Sequence, residues 1–187
     1  MKDKEIDVHA NEIAKKMVKE NPLIKFSVYT VNQVSTLRML SDKLNELFSN
    51  FKSEGEDKIV VDGKEFQQAY GYSWLYVLGA YEALRTMDQE DGIFKEKLKK
   101  NIKSLKQDFA NLRIPFAKQE YAKKHSKFIE NEASVHNIEV GPEGGDLKFK
   151  IKGKIYSIRD FINRFNRLIG NIKPEDVLKD LRNASKK

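Results

Sequence analysis

Two groups of residues have types and spacings that suit chemistry. The first is Tyr81-Glu82, followed three residues on by Arg85, in a stretch rich in aromatics, with Arg113, Lys118 and Glu120 further along. A carboxylate and a guanidinium three residues apart meet on one helix face, and such charges taken out of water have to be paired. The pair then has two readings: a structural salt bridge tying two helices together, or part of a polar pocket lined by Tyr70, Trp74, Tyr81, Glu82, Arg85, Arg113 and Lys118. The pocket reading makes the chain a helical enzyme or small-ligand binder.

The second group is basic. The chain has 35 Lys and Arg against 28 Asp and Glu over 187 residues, a formal charge of +7. That excess is uneven: residues 95–127 hold eleven bases against Glu96, Asp108 and Glu120, residues 128–147 hold five acids and no base, and residues 148–173 hold eight bases against Asp160 alone. A face bearing Lys148, Lys150, Lys152, Arg159, Arg164 and Arg167 suits phosphates, because Lys and Arg displace the counterions condensed on a polyanion. The bland alternative is that lysines beside an apolar stripe reach into water and, on a strand, keep a sheet edge from pairing with another chain. Nucleic acid is the polyanion partner considered, although no helix-turn-helix, zinc-finger or aromatic stacking motif narrows it.

Other chemistry is poorly supported. The chain contains no Cys, which removes disulfides, thiolate metal sites and thiol nucleophiles. His125, Glu132 and His136 share a line along an expected helix, but His125 stands two turns, about 10 Å, from Glu132, so no metal and no cofactor is expected there. Glycine-rich phosphate loops, the Gly-x-Ser-x-Gly elbow and the His-Glu-x-x-His zinc motif are all missing. The start, Met1-Lys2-Asp3-Lys4-Glu5, has no apolar core of a secretory signal, and the longest apolar run, Trp74 to Tyr81, falls well short of the roughly 20 residues that cross a bilayer. A cytoplasmic protein without membrane contact is the simplest expectation.

The elements that position these groups are read from periodicity. An apolar share of 40% and only four Pro suit a folded chain, and one domain over residues 1–187 is expected, with a frayed tail at 183–187. A first helix stops at Asn21-Pro22, and from Leu23 the positions Ile24, Val28, Val31, Leu37, Leu40, Leu44, Leu47 and Phe51 describe a long amphipathic helix. Asp62-Gly63 reads as a hairpin turn, and the surrounding octet echoes Phe149 to Tyr156, an echo better explained by two unrelated Gly-Lys turns than by duplication. Phe66 to about Asp88 forms a central helix with Phe66, Tyr70, Trp74, Val77, Tyr81 and Leu84 on one face, while Tyr72 and Tyr76 on other sides suit an interface between copies of the chain.

A helix over about 93–111 puts Phe94, Leu98, Ile102, Leu105 and Phe109 inward, beside a stripe of Lys95, Lys99, Lys103 and Lys106. Pro115 then opens another helix to about Val135, and Asn137 to Asp146 reads as a loop. Residues 147–158 form a β-hairpin turning at Lys152-Gly153, with Phe149 opposite Tyr156 and Leu147 opposite Ile158. Ser157 caps a last helix ending at Gly170, and a short helix follows Pro174. The sum is a mainly α fold, a bundle of about five to seven helices on which the late hairpin packs.

Overall fold

The computed structural model describes residues 12, 13, 15–53, 59–118, 135–141, 144–151 and 153–179. Among them the fold is mainly α. Helix α1 covers residues 15–20, and α2 (Val28–Ser49), α3 (Gly63–Gln89), α4 (Glu96–Lys118) and α5 (Ile158–Gly170) follow. Strands β1 (Lys52–Ser53) and β2 (Ile59–Val60) pair with each other, and β3 (Val135–Gly141), β4 (Gly144–Ile151) and β5 (Lys154–Ser157) form an antiparallel sheet in the order β3-β4-β5. No helix of the described residues is long and apolar enough to cross a membrane.

Local capping chemistry sets most helix starts. Ser27 Oγ accepts from the Thr30 N–H at 3.2 Å, so α2 begins at Val28 and the preceding Pro22–Lys25 is a 3₁₀ turn rather than the start of the long helix. Asp62 corrects the hairpin expectation: its carboxylate accepts from the N–H groups of Lys64 at 2.8 Å and Glu65 at 3.2 Å. Asp before Gly here is an N-cap, because the next residues continue into helix rather than into a returning strand. The two Gly-Lys octets therefore have different structures, the first entering α3 and the second forming the β4-β5 hairpin.

That late hairpin has the expected register. Phe149 faces Tyr156 and Ile151 faces Lys154, and in the turn between the strands Gly153 has φ +76°. Ser157 ends the strand and caps α5, its Oγ accepting from the Asp160 N–H at 2.9 Å, so Ile158 is already helical. The segment 137–146 is not a loop: β3 and β4 pair through it, with Asn137 opposite Lys148 and Glu139 opposite Asp146. Its glycines and Pro142 outweighed, in the sequence reading, the alternation of Ile138 and Val140 that makes a strand.

Helix α3 lies between α2 and α4 and is the central element. Its buried face is Ala69, Ser73, Tyr76, Val77, Ala80, Ala83, Leu84 and Met87, offset from the expected aromatic face. Small residues there let neighbouring helices come close, and at Gly79 an added Cβ would stand 3.0 Å from Leu37 of α2. Tyr70 and Trp74 are pushed to the rim, 36% and 38% exposed. Tyr76, expected on an outer face, is fully buried with its ring 6.1 Å from Phe165, so it offers no surface to a second copy. Burial also pushes its unpartnered hydroxyl well above the usual tyrosine range.

Helix α4 runs straight through Pro115 instead of breaking there. A proline in the last turn forfeits one N–H bond and tolerates a short continuation. The remainder of the helix expected after Pro115, with His125 and Glu132, lies outside the described residues, as does the tail at 183–187; His136 is placed by its backbone in β3. Beyond α5, only Pro174–Asp176 is helical, as a 3₁₀ turn, and Val177 forms a β-bridge to Phe94.

Buried apolar side chains of α2, α3, α4, β4 and α5 join in one core. On α5 alone Ile158, Phe161, Ile162, Phe165 and Ile169 are buried, each contributing about 1.5–3 kcal/mol. The tightest approach is at Gly145, where an added Cβ would lie 2.5 Å from both Cβ and Cδ2 of Phe51. The Phe51 Cβ is fixed to its backbone and cannot swing away. Gly145→Ala is therefore expected to destabilise the fold by about 1–3 kcal/mol, read as a lowered urea midpoint at unchanged slope; an unchanged midpoint contradicts the packing.

Candidate functional site

The groove between α4 and α5 begins with residues at helical spacing. From α4, Lys97, Asn101 and Ser104 fall at i, i+4 and i+7, with Leu98 and Leu105 beside them; from α5 come Arg164, Arg167, Leu168 and Asn171. The two helices meet where the Phe109 ring packs edge-on against Phe161 at 4.6 Å and lies 6.2 Å from Phe165. An ion pair from Arg164 to Asp108 closes that end. Toward Lys97 the groove is walled by residues 173–176, giving a cavity of about 740 Å³.

That far wall is laced in place by backbone bonds. The Lys95 N–H donates to Asp176 O at 3.0 Å and the Leu178 N–H to Ile93 O at 2.6 Å. Lys25, from the 3₁₀ turn before α2, donates its Nζ to the carbonyls of Pro174, at 3.0 Å, and Val177. Side chains far apart in sequence thus hold one wall.

Five basic side chains line the groove, Lys95, Lys97, Arg164, Arg167 and Lys173, against Glu175 and Asp176. Lys95 is committed to Asp176 at 3.3 Å. The Lys173 N–H and the Lys95 ammonium hold that carboxyl below its usual range, so it stays ionised. Arg164 is shared between Asp108 and Asp160, the latter at 3.5 Å; burial is the largest single influence and works against its charge, but the hydrogen bonds and charges of Asp108 and Asp160 together outweigh it and raise its pKa. Lys97, Arg167 and Lys173 are exposed and have no ion-pair partner among the described residues. They are the cations left for a ligand.

The six basic residues singled out from sequence are dispersed. Arg164 and Arg167 line the groove. Lys148 pairs with Glu139 across β3 and β4, and Lys150 is exposed on β4, while Lys152 lies outside the described residues. Arg159 is taken up internally, donating to Gly145 O at 2.7 and 3.2 Å and lying over the Phe48 ring at 5.6 Å. Its backbone N–H donates to the buried Asp146 carboxylate at 3.0 Å; burial raises that carboxyl's pKa, opposed by bonds from Ser157 and Arg159.

The lysine stripe of α4 is also mostly structural. Lys106 and Lys99 converge on Asp88 at the end of α3, and Lys99 also donates to the carbonyls of Asp88 and Glu90. Burial pushes the Asp88 carboxyl up, but the Lys106 hydrogen bond and the neighbouring lysines win, holding it below the ordinary range. Lys97, two residues from both Lys95 and Lys99 and so off that stripe, lines the groove. Sequence reasoning missed Lys95, Lys97 and Lys173 as partners of Arg164 and Arg167; the i, i+4, i+7 polar set Lys97, Asn101 and Ser104 was the available signal.

In the aromatic cluster, Glu82 sits between two guanidiniums. Arg85 Nε donates to it at 2.6 Å and Arg113 Nη2 lies 3.6 Å from its other oxygen. Arg113 also stacks over the Tyr81 ring at 4.5 Å, and its Nε is buried without an acceptor. The Glu82 and Arg85 side chains are 37% and 40% exposed, so the pair is half in water. Trp74 and Tyr70 stand eight and twelve residues earlier on α3, about 12 and 18 Å along the axis, and neither is brought to the cluster. Lys118 shares α4 with Arg113, its side chain being outside the described residues. Among the described residues no group of three metal-ligating side chains converges. Comparison with family models, with curated proteins and with solved structures returns no match to this chain.

Proposed function

We propose that the chain is a binding module whose α4–α5 groove takes the phosphate backbone of a polyanion, in particular a nucleic acid. The observation that carries this reading is the groove itself: about 740 Å³, with five bases against two acids among the described residues of its lining and Lys97, Arg167 and Lys173 without an ion pair there. Among the described residues no aromatic side chain lines it, which favours backbone contact over base stacking and hence little sequence preference. Binding of a labelled oligonucleotide, followed by anisotropy across a salt series, tests it. Two to five phosphates neutralised on a single strand give a slope of log K against log salt between about −1.4 and −3.5. A slope near zero, or no binding at low salt, overturns the proposal.

A second reading rests on the buried, unpartnered Arg113 Nε beside Arg85: a small-oxyanion site in which Glu82 occupies the ligand's place. Glu82→Gln frees both guanidiniums and is expected to strengthen inorganic phosphate binding at least tenfold by calorimetry, with little change in Tm because the pair is so exposed. A fall in Tm without phosphate binding assigns the cluster to fastening α3 against α4.

A further inference from the structure

A second cavity, about 280 Å³, abuts the first at the end of α5. Lys19 from α1, Arg38 from α2 and Ile169-Gly170 from α5 line it, and Lys173 is common to both cavities. Gly170 lines the second cavity and Asn171 the first, so the two adjoin across the end of α5. Gly170 is exposed and an added Cβ there would meet nothing within 4 Å, so no side chain crowds the surface between them. Lys19 and Arg38, like Lys97 and Arg167, have no ion-pair partner among the described residues, and Glu20 is the one acid in this lining.

We infer that the two cavities form one track for a single nucleic-acid strand, which enters along α4 and α5, passes Lys173 at the end of α5, and leaves over Lys19 and Arg38. This rests on the reading of the groove as a phosphate site. The shape argues for one strand rather than a duplex. A duplex offers grooves of its own and is read by a projecting helix or ribbon, whereas two adjoining concave cavities suit a single flexible backbone. Unpaired cations occur in both linings, Lys97 and Arg167 in the first and Lys19 and Arg38 in the second, with Lys173 common to the two, as a ligand followed along its length requires.

The experiment measures affinity of the whole chain for oligothymidylates of increasing length, beside a duplex of the longest length. Affinity is expected to rise with length until a strand spans both cavities and then to level off. The salt slope of the long strand should exceed that of the shortest binder by about 1.4, which is roughly a sevenfold greater loss of affinity between 50 and 200 mM salt. The double variant Lys19→Glu, Arg38→Glu, at positions with exposed side chains, should leave the shortest oligomer's affinity unchanged and abolish the gain from length. Equal affinity at all lengths, equal weakening of short and long strands, or duplex binding as tight as single-strand binding overturns the track while leaving the groove proposal standing. Absence of binding by every oligomer at low salt removes both.

Discussion

Replacing two unpaired groove cations together, Lys97→Glu and Arg167→Glu, is expected to reduce oligonucleotide affinity at least tenfold at low salt and to flatten the single-strand salt slope by about 1.4. Each residue is exposed and without an ion pair among the described residues, so each reversal removes an attraction and adds a repulsion without breaking a native contact. The fold should survive. Glu is a good helix former, and at position 97, in the first turn of α4, its charge suits the positive end of the helix dipole. At position 167, in the last turn of α5, the same dipole opposes it by a few tenths of a kcal/mol, roughly. The control is Lys150→Glu, the same charge change as either single reversal, placed on β4 outside the groove lining, which should shift affinity less than about twofold. If all three reversals weaken binding alike, association follows net charge and the groove is not the site.

Phe109→Ala is expected to lower unfolding stability by about 3–5 kcal/mol, the largest stability effect of any change considered. The ring is fully buried and lies against Phe161 and Phe165, so truncation removes the side chain that joins α4 to α5. Aromatic edge-to-face contacts add about 0.5–1.5 kcal/mol each to what burial alone supplies. Urea unfolding should show the midpoint falling with its slope unchanged, and Phe109→Leu, which keeps most of the volume, should recover the greater part. Binding links the two results: Phe109 sets where the helices part and the groove opens, so the alanine variant should also bind oligonucleotides more weakly under conditions where it remains folded. A loss under about 1 kcal/mol would mean α4 and α5 are held together elsewhere.

Some of this architecture was readable residue by residue. Ser157 capping α5, the Lys152-Gly153 turn and the Phe149 to Tyr156 pairing depend on groups a few positions apart, so local chemistry sufficed. Asp62-Gly63 misled because the same dipeptide serves a hairpin turn and a helix N-cap, and only the returning strand distinguishes them. The pairing of β3 with β4 was hidden because glycine and proline in the sequence there weigh toward a loop, while the strand signal is only the alternation of Ile138 and Val140. The α3 face was misplaced because large aromatics weigh heavily in a periodicity count, whereas helix packing here selected small residues that allow α2 and α4 to approach.

What the sequence determined by itself was therefore the mainly α composition, the late hairpin and a surplus of positive charge, all properties of composition or of neighbours along the chain. Which of those charges remain free was decided by tertiary structure. Asp88 absorbs Lys99 and Lys106, Asp108 and Asp160 hold Arg164, Glu139 takes Lys148, and a carbonyl in β4 takes Arg159. Most of these partners come from another element. A cation is neutralised by whatever acceptor stands within a few ångströms, and folding, rather than order along the chain, brings that acceptor there. Lys97 and Arg167 are left facing the groove for the same reason.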